Sequence, residues 1–154
     1  MADQTAVTDL AVARRTSAAH ALRLGGGLLW LAALIHFVAF PLLQRTVANN
    51  LPADAYQFVW PPLALSFLLD GILLLPLGFT ALYCARGVQR GERWARVLGL
   101  TTATVVLSLP VVLGLVMGSR YFSATPFLLA TLVILAAGLA MLLTLVRLAR
   151  NSRD

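Results

Sequence analysis

Two titratable side chains stand inside otherwise apolar runs of this sequence. His36 lies in WLAALIHFVAFPLL, residues 30–43, and Asp70 lies in SFLLDGILLLPLGF, residues 66–79. A carboxylate near the centre of a membrane span costs ~2.5–3.5 kcal/mol on insertion scales, so it needs a partner, water or a proton. An imidazole beside a carboxylate can share a proton, transfer one or hold a polar ligand. These two residues are therefore the first candidates for chemistry.

The composition indicates that these runs cross a membrane. Hydrophobic residues make up 60% of the 154 residues and charged residues only 12%, against about a quarter charged in a soluble domain. Four runs approach the ~20 residues that a spanning helix needs. We predict an all-α polytopic membrane protein, a four-transmembrane-helix bundle forming one domain over residues 24–146 between tails at 1–23 and 147–154. The predicted spans are residues 24–43, 63–84, 97–117 and 127–146.

The charges are distributed unevenly along the chain. All twelve basic residues are arginine, and ten of them precede the first run, lie between the second and third, or follow the fourth. The positive-inside rule therefore predicts that both termini and the connection between the second and third runs lie in the cytoplasm. Anionic lipids attract such arginines, so membrane lipids are the expected partners, and the net charge of +6 does not call for nucleic acid.

Two further helices are expected at the membrane surface. Residues 52–60 begin with a proline and carry three aromatic side chains, which favours a short surface helix that ends at Pro61 and Pro62. The N-terminal tail, residues 1–23, is a second candidate for a surface helix.

His36 and Asp70 are predicted to lie at the same depth. His36 precedes the end of its run at Leu43 by seven residues, and Asp70 follows the start of its run at Leu63 by seven. At about 1.5 Å per residue, both lie about 10 Å below the outer boundary. Consecutive spans pack as neighbours, so we expect a hydrogen bond or ion pair between the two side chains.

Four other polar residues fall near this depth. Ser66 lies one turn before Asp70, Ser108 belongs to a polar stripe in the third run, Thr131 lies in the fourth, and Arg120 follows the third. Together with His36 and Asp70 they form a candidate polar pocket in the outer half of the bundle. The hydroxyls of the third run are expected to bond to their own preceding backbone turn.

Three interpretations of the His36–Asp70 pair stay open. The pair can hold two helices in register, it can form a proton site or ligand anchor, or the two side chains can fail to meet. No metal site is predicted, since His36 is the only histidine inside a run and no clustered ligands occur. No cofactor is predicted either.

A family resemblance rests on the stretch ILLLPLGFTALYCARGVQRGERWAR, residues 72–96. This span end and arginine-rich connection, within a four-span layout, resemble the small uncharacterised bacterial inner-membrane proteins of the DoxX-like type. The resemblance implies the four-helix membrane fold. It supplies no catalytic motif.

Three functions fit the sequence. The first is an accessory subunit, or a module binding a lipid or hydrophobic ligand, that associates with another membrane protein or with itself. The second is a proton-coupled carrier of a small solute that uses Asp70 and His36. The third is a membrane-embedded enzyme acting on a lipophilic substrate, which the sequence favours least because no third catalytic group joins the pair.

Overall fold

The chain folds into four long helices in a computed structural model. The structure describes the backbone of residues 2–118 and 125–150, and the side chains of residues 12–116, 118 and 128–150. Short connections, residues 51–52 and 90–92, join the first three helices and make them antiparallel. The helices are α1 (Ala2–Asn50), α2 (Ala53–Gln89), α3 (Arg93–Met117) and α4 (Thr125–Arg150).

All four helices are long and apolar enough to cross a membrane. Their most apolar windows have mean hydropathies of 1.9 to 2.6, and only 17–22% of the residues in those windows are buried. Large apolar side chains instead face outward, among them Val38, Phe58 and Leu115. A soluble bundle would turn an apolar stripe inward and polar residues outward. This protein is therefore a multi-pass membrane protein.

Each helix packs against its neighbours in chain order, and α4 closes the ring against α1. The contact between α1 and α2 is the most extensive. The two helices approach closely at Gly26 and Gly78, where a Cβ built on Gly26 would lie 2.8 Å from the Gly78 carbonyl oxygen. Beside it, Trp30 packs on Gly78 and its Nε1 donates a hydrogen bond to the Leu75 carbonyl oxygen at 3.2 Å. Small residues at this crossing let the two backbones meet.

The bundle is most tightly packed at the end that carries most of the arginines, which we call the arginine end (residues 14–23, 86–96 and 145–150). All four helices meet there around Gly99 of α3. A Cβ built on Gly99 would lie 3.2 Å from Leu145, 3.6 Å from Leu22 and 3.8 Å from Cys84. These three side chains are fully buried, so this layer closes the bundle at the arginine end. The opposite end, around residues 40–60, is called the far end.

The N-terminal segment differs from the expected surface helix. Residues 2–23 are continuous with the first span in α1, and Ala18, Ala19 and Leu22 are completely buried. The Arg23 guanidinium also donates a hydrogen bond to Gln89 of α2 at 2.8 Å. The part of this segment nearest the span therefore belongs to the bundle, because its alanines are small enough to pack against the neighbouring helices.

The expectation that Pro61 and Pro62 end a separate surface helix is wrong. Helix α2 begins at Ala53 and continues through both prolines. A proline removes one backbone donor and crowds the preceding turn, but this turn has tertiary support. The Trp60 ring lies 5.4 Å from Phe40 of α1, which itself extends to Asn50. Packing between the two helices keeps this part of α2 aligned with the span.

Alanine at Gly26 or Gly78 is expected to destabilise the bundle. Each new Cβ would meet the other glycine's carbonyl oxygen at 2.8–2.9 Å, and overpacking of this kind costs about 1–3 kcal/mol. Gly27→Ala is the matched control, because no atom lies within 4 Å of its built Cβ. Unfolding of the purified protein in detergent, followed by circular dichroism, measures the difference. Equal stability of all three variants would contradict the close contact between α1 and α2 at these two glycines.

Candidate functional site

A cavity of about 200 Å³ lies between the four helices, on the far-end side of the closed layer. Every helix contributes to its wall, and part of that wall is exposed on the outside of the bundle. Three of its lining side chains are polar and the others are aliphatic. The lining residues are His36 of α1, Asp70, Leu73 and Leu74 of α2, Leu109, Val112 and Leu113 of α3, and Ala130, Thr131 and Ile134 of α4.

The His36 ring is held by contacts on several sides. Its Nδ1 lies 2.8 Å from the Ala32 carbonyl oxygen; since a carbonyl only accepts, Nδ1 carries the hydrogen and Nε2 is the nitrogen left for another partner. The Phe67 ring centroid lies 4.7 Å from the His36 centroid. A Cβ built on Gly71 would lie 3.1 Å from the His36 Cβ. These contacts fix both the tautomer and the position of the ring.

Asp70 lies beside His36 but does not pair with it directly. Gly71 is in contact with His36, so the depth match predicted by counting holds to within one residue. Among the described residues, however, no hydrogen bond and no ion pair within 4.0 Å joins Asp70 to His36. The carboxylate oxygens are therefore available to water, a proton or a ligand.

Thr131 is the third polar side chain of the cavity. It is buried, with 9% of its surface exposed, and α4 places it in the same wall as Asp70 and His36. A hydroxyl, an imidazole and a carboxylate in an aliphatic wall can donate and accept several hydrogen bonds. Aliphatic walls with a few converging polar groups are typical of small-molecule sites. This arrangement can recognise a molecule that is mostly apolar and carries a hydrogen-bonding group.

A row of aromatic rings leads from the cavity toward the far end. From His36 and Phe67 it continues to Phe40, whose centroid lies 6.5 Å from Phe67. Trp60 follows at 5.4 Å from Phe40, and Tyr56 stacks on Trp60 at 5.9 Å. Ring pairs at these separations add about 0.5–1.5 kcal/mol each beyond their buried area. The row holds α1 and α2 together past the cavity.

The other predicted pocket residues are placed differently. Ser66 is exposed and, like Ser108, does not line the cavity. The Ser108 hydroxyl donates to the Val105 carbonyl oxygen at 2.7 Å. Thr101 and Thr104 also donate to their own preceding turn, so the prediction for the hydroxyls of the third run is confirmed. Arg120 lies outside the described residues.

Sequence reasoning missed the aliphatic walls of the cavity. A weak signal for them exists, since Leu73 and Leu74 follow Asp70 by three and four residues and Ile134 follows Thr131 by three, the spacing of one helical face. In helix α3 no polar residue marks the cavity. The face of α3 that lines the cavity can therefore be identified only from the packed bundle.

The described residues contain no group of three or more His, Cys, Asp and Glu side chains that could hold a metal ion. Comparison with known proteins gives no match to any family model, curated protein or solved structure. The resemblance to DoxX-like proteins therefore stays a prediction.

Asp70→Leu is expected to leave the free energy of unfolding unchanged or to raise it, because no direct bond to His36 is lost and a charge within an apolar span is removed. In a double-mutant cycle with His36→Phe, the coupling energy is expected to stay below about 0.5 kcal/mol. Denaturant unfolding in detergent provides the measurement. Gly71→Leu serves as the sensitivity control, since its side chain would press on His36 and lower stability.

A coupling energy of about 1.5 kcal/mol or more would identify the pair as a structural link between α1 and α2. In that case Asp70 would be explained by stability alone.

Proposed function

We propose that this protein binds a small lipophilic molecule carrying a hydrogen-bonding group, inside the bacterial inner membrane. The aliphatic wall would hold the apolar body, while His36, Asp70 and Thr131 would bond the polar group. It would act as a binding module or as the accessory subunit of a larger membrane assembly. The observation that supports this proposal is the cavity in which three polar side chains from three helices meet within an otherwise apolar wall.

The electrostatics of the site support a ligand over a purely structural role. A polar group within an apolar membrane span costs free energy unless it is bonded, and Asp70 has no direct bond to His36. A bound molecule with a hydroxyl or an amine would supply the missing donor. A hydrogen bond to a charged group contributes about 1.5–3 kcal/mol, which is enough to select such a molecule from the surrounding lipid.

The size and edge of the cavity restrict the ligand. Its volume of about 200 Å³ lies below the roughly 300–1,000 Å³ of common drug-sized sites. Leu73 of α2 and Val112 of α3 line the cavity, yet they remain 55% and 52% exposed on the outside of the bundle. An apolar molecule could therefore enter sideways from the bilayer, between α2 and α3. The best fit is a compact one- or two-ring compound, or the polar end of a lipid.

Proton-coupled carriage of a small solute is a second candidate. It is favoured by one observation, that two titratable side chains share a membrane cavity whose described lining residues include no arginine. A carrier must open its site to both sides of the membrane in turn. In this bundle the layer around Gly99 closes the arginine end, so carriage would require that layer to separate. Binding requires no such movement and is the simpler proposal.

An enzymatic role has less support. Acid–base catalysis by His36 and Asp70 would need a further group to act as a nucleophile or to stabilise developing charge. Ser66 and Ser108 lie outside the cavity wall.

The binding proposal predicts that the protein prefers 2-naphthol to naphthalene, which has the same rings without a hydroxyl. Fluorescence titration of the purified protein in detergent measures both affinities. Asp70→Leu should reduce the preference about tenfold, because one bond to a charged acceptor is lost. Asp54→Asn is the matched control, since Asp54 lies in the first turn of α2, away from the cavity.

Ala130→Phe should weaken the binding of both compounds, because the ring would occupy the cavity. If Asp70→Leu and Asp54→Asn showed the same preference for 2-naphthol, the proposed polar contact would be wrong. If Ala130→Phe bound both compounds normally, they would not be occupying this cavity.

Labelling with a membrane-impermeant maleimide tests the proposed orientation and the closed layer together. Cys84 is the only cysteine and is fully buried, so the unchanged protein should react only after denaturation. In a Cys84→Ser background, Asn49→Cys should be labelled in intact bacterial cells. Ala13→Cys should be labelled only after lysis, because the positive-inside rule places the arginine end in the cytoplasm.

The reverse pattern at residues 13 and 49 would overturn the orientation. Rapid labelling of Cys84 in folded protein under a pH gradient would favour the carrier, since the layer would then open.

A further inference from the structure

A second cavity, of about 300 Å³, lies at the arginine end between α1 and α4. It is separate from the first cavity and shares no residue with it. Four of its five lining side chains are polar or charged. The lining residues are Arg14 and Ser17 of α1 and Thr144, Arg147 and Leu148 of α4. We call this site the α1–α4 groove.

The two arginines of the groove come from different helices and are not neutralised by described residues. None of the described residues that line the groove is acidic. The single ion pair among the described residues joins Arg90 to Glu92 at 3.8 Å, outside the groove. Neither Arg14 nor Arg147 donates a hydrogen bond to another described side chain. Arg23, by contrast, donates one to a side chain of α2. With respect to the described residues, two sets of guanidinium donors are therefore available in one cavity.

The hydroxyls of the groove lie on the same helical faces as the arginines. Ser17 follows Arg14 by three residues and Thr144 precedes Arg147 by three, and such spacing places side chains together. The Thr144 hydroxyl donates to the Ala140 carbonyl oxygen at 2.8 Å, so its hydrogen is already used. Ser17 can donate through its own hydroxyl. The groove thus presents mainly hydrogen-bond donors and positive charge, a combination that selects an anion with several acceptor oxygens.

We propose that the α1–α4 groove binds a phosphate group, as a phosphomonoester or phosphodiester. Guanidinium groups match phosphate oxygens in a bidentate manner, and two of them from facing helices can hold one phosphate between them. The groove lies where α1 and α4 pass from the apolar spans to the arginine-rich segments. The phosphate could therefore belong to a lipid head group in the adjacent leaflet or to a free phosphorylated compound.

This proposal differs from a general attraction between arginines and anionic lipid. General attraction adds about 1 kcal/mol per arginine near the surface, wherever that arginine stands. A specific site would make Arg14 and Arg147 contribute more to phosphate binding than other arginines at the same end. Arg86 is the matched comparison, because it is exposed at the arginine end, belongs to α2 and does not line the groove.

The test uses the full chain, purified in a neutral detergent at constant ionic strength. Native mass spectrometry and thermal shift measure the binding of dioctanoyl phosphatidylglycerol, with dioctanoylglycerol as the matched ligand without phosphate. Glycerol 3-phosphate and inorganic phosphate form the second arm, which detects a free ligand. The variants are Arg14→Gln, Arg147→Gln and Ser17→Ala, with Arg86→Gln as the control.

Phosphatidylglycerol is expected to bind and dioctanoylglycerol is not. Arg14→Gln and Arg147→Gln should each weaken binding about tenfold, as expected for a lost charge-assisted contact, whereas Arg86→Gln should change it by less than about twofold. Arg14→Lys should retain more affinity than Arg14→Gln, since it keeps the charge. If the affinity for glycerol 3-phosphate fell in the same variants, the groove would be supported as the site and its ligand would be a free phosphate compound.

Equal losses in Arg14→Gln, Arg147→Gln and Arg86→Gln would overturn the proposal in favour of general surface charge. Failure of every phosphate compound to bind the unchanged protein would overturn it as well. Unfolding temperatures without ligand show whether each variant is folded. Binding of 2-naphthol should not change in any of these variants, so failure of this site is distinguishable from failure of the first cavity.

Discussion

The close crossing of α1 and α2 determines the arrangement of everything else. Gly26 and Gly78 bring the two backbones together, and Trp30 donates across the crossing to the Leu75 carbonyl oxygen. Because both helices are rigid, this contact also fixes their register further along, where Gly71 meets His36. The position of the cavity's two titratable side chains is thus a consequence of glycine packing two to three turns away, and no direct bond between those side chains is required.

The bundle has two ends of different character. At the arginine end, small and medium residues pack tightly around Gly99, while beyond this layer the helices enclose a cavity with His36, Asp70 and Thr131 in its wall. In lipid, helices associate through packing and polar contacts, because burying apolar surface gains little free energy when the surroundings are themselves apolar. Tight packing at the arginine end can therefore stabilise the fold while the helices are less tightly packed around the cavity. A ligand site is for this reason compatible with a stable bundle.

The sequence predicted some features well because each rests on a strong local cause. Four long apolar runs can only be spans, and counting along them placed His36 and Asp70 at one depth, which the contact at Gly71 matches to within one residue. Prediction failed at Pro61 and Pro62, where local chemistry favours a break but packing of Trp60 on Phe40 supports a continuous helix. It also failed to foresee that Ala18, Ala19 and Leu22 belong to the core, since alanines give no amphipathic signal.

By itself, the sequence determined the number of long apolar helices, the asymmetry of the arginines and the matching positions of His36 and Asp70 along α1 and α2. Only the tertiary structure decided how each helix is rotated about its axis, and hence that Thr131 lines the cavity whereas Ser66 and Ser108 do not. The physical reason is that lipid and protein core are both apolar. A soluble helix shows its inward face by its pattern of polar and apolar residues, but a spanning helix is apolar all round. Its rotation is set by the fit of glycines, alanines and aromatic rings against its neighbours.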